Sequence, residues 1–154
     1  EGTIHSGLYQ RLISQKDPEV TVYGQPCPLF VPLVEEGWTK DPITEEVARR
    51  YLKDLLGKDI DTLIMGCTHY PLLRSLLRQV VGEKVTLVNP AYETSQALKR
   101  MLAELKLERD PSGSLEEGKY CFYASDAVER LNECARRVLP YEIVGTRQIQ
   151  IEEY

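Results

Sequence analysis

Cys67, Thr68 and His69 stand side by side in residues 61–73, which read Asp-Thr-Leu-Ile-Met-Gly-Cys-Thr-His-Tyr-Pro-Leu-Leu. A thiol two residues from an imidazole can exchange a proton with it, so the pair suits general-base or nucleophilic chemistry. Thr68 adds a hydroxyl, and the backbone N–H groups of Cys67 and Thr68 are candidates to bind a carboxylate. The plainer reading is a structural thiol beside a turn-capping histidine, since free cysteine is commonly buried and inert.

The elements that must hold the triplet follow from a change of period. Leu63, Ile64 and Met65 form a short apolar run that suits a buried strand, and Gly66 breaks it. Pro71 fits the first turn of a helix, where its missing N–H has no partner to lose. Leu73, Leu76, Leu77 and Val80 then recur at helical spacing. The triplet is expected between a strand end and a helix start. In open α/β sheets that crevice binds ligands, and the helix dipole there favours a thiolate.

The chain before this point reads as follows. Thr3 or Ser6 caps a first helix with an apolar stripe at Ile4, Leu8 and Leu12, ended by Lys16-Asp17-Pro18. Residues 20–23 alternate like a strand. Residues 25–35 carry Pro26, Pro28 and Pro32, a density that predicts an apolar loop and excludes a helix or central strand. Glu35 ends that loop. It is either the first solvated residue after a buried segment or a carboxylate placed near His69 or a substrate ammonium group. Asp41-Pro42 starts a helix with Ala48, Tyr51, Leu52, Leu55 and Leu56 on its buried face, closed by Gly57. Thr44 is an alternative cap.

Residues 85–88 read as the next strand, which completes strand–helix alternation over residues 20–88. The fold class is therefore α/β, with parallel sheet layers and flanking helices. Asn89-Pro90 reads as a crossing point that divides 1–89 from 90–154. Beyond it the pattern predicts a helix over 92–105 and a polar loop over 106–118. A strand over 120–124 follows, then a helix over 127–138 capped by Asp126, and short strands at 141–144 and 148–151. Cys27, Cys121 and Cys134 read as packing residues.

Composition narrows the partners. The chain has 154 residues, enough for a real core, and a net charge of −5 with no basic block. This argues against a broad nucleic-acid or membrane-binding surface. No stretch approaches the roughly 20 apolar residues of a membrane span. The chain opens at Glu1 without a charged-then-apolar leader, and the expectation is that no signal peptide is present. Four cysteines without a Cys-x-x-Cys pair, and two histidines, predict neither a zinc site nor a disulfide framework. A reducing, cytoplasmic compartment is expected.

Gly-Cys-Thr-His-Tyr-Pro-Leu-Leu, from Gly66 onward, resembles the second cysteine motif of the glutamate racemases. Three further stretches resemble that family in the same order. Residues 1–7 are similar to its Thr-x-Gly-Thr-x-x-Ser segment, cut off after the first threonine, and residues 27–37 to its Cys-Pro-Leu-Phe-Val-Pro-Leu-Val-Glu segment. Residues 120–127 are similar to its late strand followed by Ser-Asp. The family's other catalytic cysteine lies in an early Cys-Asn-Thr-Ala motif, which these 154 residues lack.

The resemblance implies a two-domain, pseudo-symmetric racemase fold. Residues 1–89 would be most of the second domain, and 90–154 a segment returning to complete the first. It implies cofactor-independent interconversion of L- and D-glutamate for bacterial cell-wall synthesis, with a homodimer as a candidate assembly. It makes Cys67 one of two bases and His69 its tuner. Glu35 would support His69 or the substrate ammonium, and Thr68 and Thr3 would bind substrate oxygens. Two other readings of the same residues stay open. One is a cysteine hydrolase or transferase with Cys67 as nucleophile, His69 as base and Glu35 as orienter. The other is a carboxylate-binding module without turnover.

Overall fold

The computed structural model describes residues 2–109, 122–139, 143 and 145–150. Contacts divide the chain into two units, Glu1–Glu104 and Leu105–Tyr154.

The first unit opens with two short helices, α1 (Gly2–His5) and α2 (Leu8–Lys16). The single helix expected here is broken at Gly7, whose φ of 60° lies in the left-handed region that glycine tolerates. Ser6 Oγ accepts the Leu8 N–H at 3.3 Å and so serves the first turn of α2. Neither helix buries a residue, and Leu8 and Leu12 are exposed. Residues 20–23 are not a strand, because no neighbouring strand pairs with them among the described residues. Alternation shows which residues suit a pleat, but only a hydrogen-bonded partner makes one.

A second departure is α3 (Phe30–Glu35), a helix where three prolines predicted a loop. Pro32 is its third residue. The first N–H groups of a helix have no intrahelical acceptor, so proline costs little there. Phe30 and Val34 are buried in the core.

Helix α4 (Pro42–Leu56) forms as its sequence predicts. Asp41 Oδ1 accepts the Ile43 N–H at 2.8 Å, and Pro42 takes the first position. Thr44 is not a cap. It is fully buried and donates to the Trp38 carbonyl at 2.7 Å. Ala48, Leu52 and Leu55 are buried, with Tyr51 and Leu56 packed against the same core.

Strand β1 (Thr62–Ile64) leads through a 3₁₀ turn (Tyr70–Leu73) into α5 (Arg74–Val81), and then into β2 (Thr86–Val88). The two strands are parallel, with Thr62 opposite Thr86 and Ile64 opposite Val88. Helix α5 packs on α4, and Leu73, Leu76, Leu77 and Val80 supply the core between them. Gly82 ends α5 at a φ of 78°. Arg78 Nη1 then donates to the carbonyls of Gly82 at 2.6 Å and Val85 at 2.7 Å, which ties the helix end to the start of β2.

Asn89 caps α6 (Pro90–Glu104), its Oδ1 accepting the Ala91 N–H at 3.1 Å. The helix starts two residues before the expected 92 because proline occupies its first position. It buries no residue.

In the second unit, β3 (Tyr123–Ala124) pairs in parallel with β4 (Arg147–Gln148), flanking α7 (Val128–Val138). Asp126 Oδ1 accepts the Ala127 N–H at 2.7 Å but is not the expected cap: the helix starts one residue later than expected, and the capping position falls to Ala127, which has no side-chain oxygen to offer. Ala135 is the buried residue of α7, and Val138 is exposed. Cys134 is exposed, not packed, because it lies off the Ala135 face. Cys121, residues 120 and 121 of the expected strand, most of the 106–118 loop, and most of residues 141–144 lie outside the described residues, as does Ile151.

Candidate active site

The site is built where β1 gives way to the 3₁₀ turn. Met65 still donates to the Val88 carbonyl at 3.0 Å and is 1% exposed, so the sheet holds the chain firmly up to this residue. The next two N–H groups turn back on the chain. Gly66 donates to Ile64 O at 3.0 Å, and Cys67 to Met65 O at 2.8 Å. A Cβ on Gly66 would stand 3.4 Å from Tyr9 Oη, so glycine lets α2 come up beside the turn.

These bonds change one expectation. The Cys67 N–H is used by the turn and is not offered to a ligand. The Thr68 N–H keeps that role open, with no acceptor among the described residues. The helix start is also farther off than Pro71 implied. A 3₁₀ turn follows His69, and α5 proper begins at Arg74. A helix dipole acts mainly within its first turn, so Cys67 feels the short turn more than α5.

Cys67 is half-buried and Thr68 exposed. His69 is engaged at both ring nitrogens. Thr68 Oγ1 lies 3.2 Å from Nδ1, and Glu35 Oε1 lies 3.5 Å from Nε2. With the hydrogen of a neutral ring on Nε2, Nδ1 accepts from the threonine hydroxyl and Nε2–H faces the carboxylate, at a distance longer than an ordinary hydrogen bond. Glu35 comes from the end of α3, and the 3₁₀ turn after His69 packs on that helix. Glu35 is exposed, as the solvated reading expects, and its carboxylate also lies beside His69, as the paired reading expects.

Thr3 is exposed on α1, and its carbonyl accepts a hydrogen bond from Ser6 Oγ at 2.8 Å. No hydrogen bond among the described residues joins its side chain to Cys67, Thr68 or His69. Cys27 is a packing residue, as the sequence suggests. It is 5% exposed, its Sγ donates to the Gln25 carbonyl at 3.6 Å, and burial pushes its thiol up to about 12. Among the described residues no three His, Cys, Asp or Glu side chains converge to hold a metal ion.

Sequence reasoning missed Tyr70. Its hydroxyl donates to the Cys27 carbonyl at 2.9 Å, and its ring meets Phe30 edge-on with centroids 5.3 Å apart. The available signal was its place directly after His69. No hydrogen bond among the described residues joins Cys67 Sγ to the imidazole, whose nitrogens face Thr68 and Glu35; what the neighbourhood offers is a half-buried thiol, two residues from that ring, able to exchange a proton or to form a covalent bond.

No protein-family model matches the chain. Individual relatives do. Over 152 residues, 99% of the chain, it is 39% identical to a Geobacter metallireducens protein named glutamate racemase. Other relatives carry the same name. A solved glutamate racemase from Francisella tularensis, in complex with D-glutamate, matches 99% of the chain with a TM-score of 0.86 and 32% identity. A glutamate racemase from Thermus thermophilus, in complex with β-chloro-D-alanine, matches 99% of the chain with a TM-score of 0.81 and 36% identity. The α/β fold expected from the sequence is thus the fold of solved glutamate racemases. The chain covers 55% of the Geobacter protein and 56% and 54% of the two solved chains, so it spans about half the length of the glutamate racemases it matches.

Proposed function

We propose that this chain contributes one of two base-bearing halves of a glutamate racemase, with Cys67 as its base. The observation that carries the reading is a half-buried thiol at a strand end, two residues from an imidazole held between Thr68 and Glu35. The names of the relatives supply the substrate class, an acidic α-amino acid.

In this mechanism a thiolate takes the α-proton from one face of glutamate, and a thiol on the other face donates its own proton to the carbanion. The configuration inverts, and each thiol exchanges its protonation state. Two thiols suit this because thiol and thiolate are both reachable near neutral pH. Hydrogen bonds to the substrate carboxylate stabilise the carbanion if they strengthen as charge moves onto its oxygens. Thr68 supplies a backbone N–H for that, and its hydroxyl joins only when it turns from His69 Nδ1 to the substrate; Thr3 is the second candidate. His69 tunes Cys67, with Glu35 behind it. The second cysteine comes from sequence outside these 154 residues, as do the remaining parts of a two-domain fold in which 1–89 and 90–154 belong to different domains. No cofactor takes part. The product serves peptidoglycan synthesis in the cytoplasm, and a homodimer is the proposed assembly. Among the described residues no helix is long and apolar enough to cross a membrane.

The Glu35–His69 contact also favours a second reading, in which Glu35 orients His69 for a nucleophilic Cys67. One experiment separates the two. With the longer protein in deuterated water, racemisation exchanges the α-proton of glutamate and leaves no adduct on Cys67. An acyl-enzyme on Cys67 without α-exchange would replace the racemase reading with the hydrolase or transferase reading. The 154-residue chain alone is expected to give no turnover, and full activity from it would refute the two-cysteine mechanism.

A further inference from the structure

The Glu35–His69 contact depends on how α3 is set against the 3₁₀ turn, and one residue touches both. Tyr70 follows His69 in the chain, so its backbone moves with the imidazole. Its hydroxyl donates to the Cys27 carbonyl at 2.9 Å, and that carbonyl also accepts the Phe30 N–H at 3.2 Å, the first amide of α3. Its ring meets Phe30 edge-on at 5.3 Å and 87°. Phe30 is 2% exposed and meets Tyr51 in the same way at 5.5 Å and 85°. Tyr51 Oη in turn accepts the Leu29 N–H at 3.3 Å. The N-terminal end of α3 is therefore held on both sides by aromatic residues with polar tips. Glu35 sits at the other end of a six-residue helix, with one more buried anchor, Val34.

We propose that Tyr70 is a positioning residue that sets the distance between Glu35 and His69 by clamping the start of α3 to the turn that carries the imidazole. The role deepens the proposed racemase reading, but it concerns the pair's geometry and stands or falls separately. At 3.5 Å the Glu35–His69 contact is an ion-pair distance, longer than an ordinary hydrogen bond, and a small shift of α3 changes it directly. Burial pushes the Tyr70 phenol up to about 12, and negative charge on Cys27 or Cys67 would push the same way. The hydroxyl thus stays a donor across the neutral range. No substrate contact is assigned to it.

The test uses the imidazole signals of His69 in NMR, with His5, the other histidine in the chain, as internal control. Tyr70→Phe keeps the ring and removes the bond to Cys27. It is expected to move the His69 signals in the same direction as Glu35→Gln, leave those of His5 in place, and add little when Glu35→Gln is already present. Phe30→Leu, which keeps the hydroxyl bond and removes the edge-on contact, should act in the same direction. Unmoved His69 signals in Tyr70→Phe overturn the proposal, as do shifts of equal size with and without Glu35. The iodoacetamide rate of Cys67 is read in parallel, with a loss of about threefold expected in Tyr70→Phe, the size of one ordinary hydrogen bond. If the His69 signals move as expected while that rate does not, the positioning role holds and the assignment of His69 as tuner of Cys67 fails.

Discussion

Helix α5, with the turn before it, and helix α6 carry the same kind of leucine pattern and end in opposite surroundings. Leu73, Leu76 and Leu77 are 0%, 4% and 2% exposed, whereas Leu98 and Met101 are 52% and 55% exposed. Helix α5 meets α4, which brings Ala48, Leu52 and Leu55 to the shared core. Helix α6 has no buried residue. The contrast teaches that an amphipathic stripe identifies the face that needs cover, not what covers it.

The sharpest way to break the comparison is by truncation in the core. Leu77→Ala should destabilise the chain by about 3 kcal/mol, more than a hundredfold in the folded-to-unfolded ratio, as read from urea denaturation. A cost under about 1 kcal/mol would mean the core is loosely packed.

The thiols repeat the contrast on a smaller scale. Near neutral pH, Cys67 should react with iodoacetamide at least about tenfold faster than Cys27, because thiolate character and exposure set the rate. Peptide mass mapping resolves the sites, and exposed Cys134 is the reference for unhindered access. In the longer protein, excess glutamate should protect Cys67 and leave Cys134 unaffected. Equal labelling of Cys27 would mean that α3 opens freely.

A smaller effect follows from pH. Burial raises the Cys27 thiol from 9.0 to about 12, so its neutral form is favoured in the folded state. That contribution is complete below about pH 9 and is lost as pH rises toward about 12, on the order of 1 kcal/mol per unit at most. Denaturation midpoints taken at about pH 8 and about pH 10.5 should fall more steeply in the parent than in Cys27→Ala. Tyr70, raised from 10.0 to about 12, loses its contribution over the upper part of the same window, so the variant keeps some slope.

The smallest change is expected at Leu98→Ala, within about 0.5 kcal/mol in the 154-residue chain, measured by the same denaturation. A loss comparable to Leu77→Ala would erase the distinction between the two helices.

What the sequence made legible divides along the same line. Helices α4 and α5 could be read because period, caps and proline placement agree at Asp41-Pro42 and across residues 73–80. Helix α3 was hidden by the prolines, since counting them ignores that the first turn needs no N–H groups. Residues 20–23 have strand character but no partner strand among the described residues, and pairing is non-local. In the site, Cys67, Thr68 and His69 were legible by adjacency, and Glu35 as one of two readings. Tyr70 was not, because it binds a backbone carbonyl far off in sequence, and a carbonyl leaves no trace in residue type.

The Arg78 bonds to Gly82 and Val85 have a consequence for the order in which the molecule opens. A parallel strand pair must close a long connection before it gains any ladder bond, and that closure is its main entropic obstacle. With the guanidinium fastening the end of α5 to the entry of β2, the last few residues of the connection are already in place once the helix forms. The β1–α5–β2 unit should therefore behave as a cooperative foldon. Its amides would be the last to exchange in deuterated water, well after those of α2 and α6.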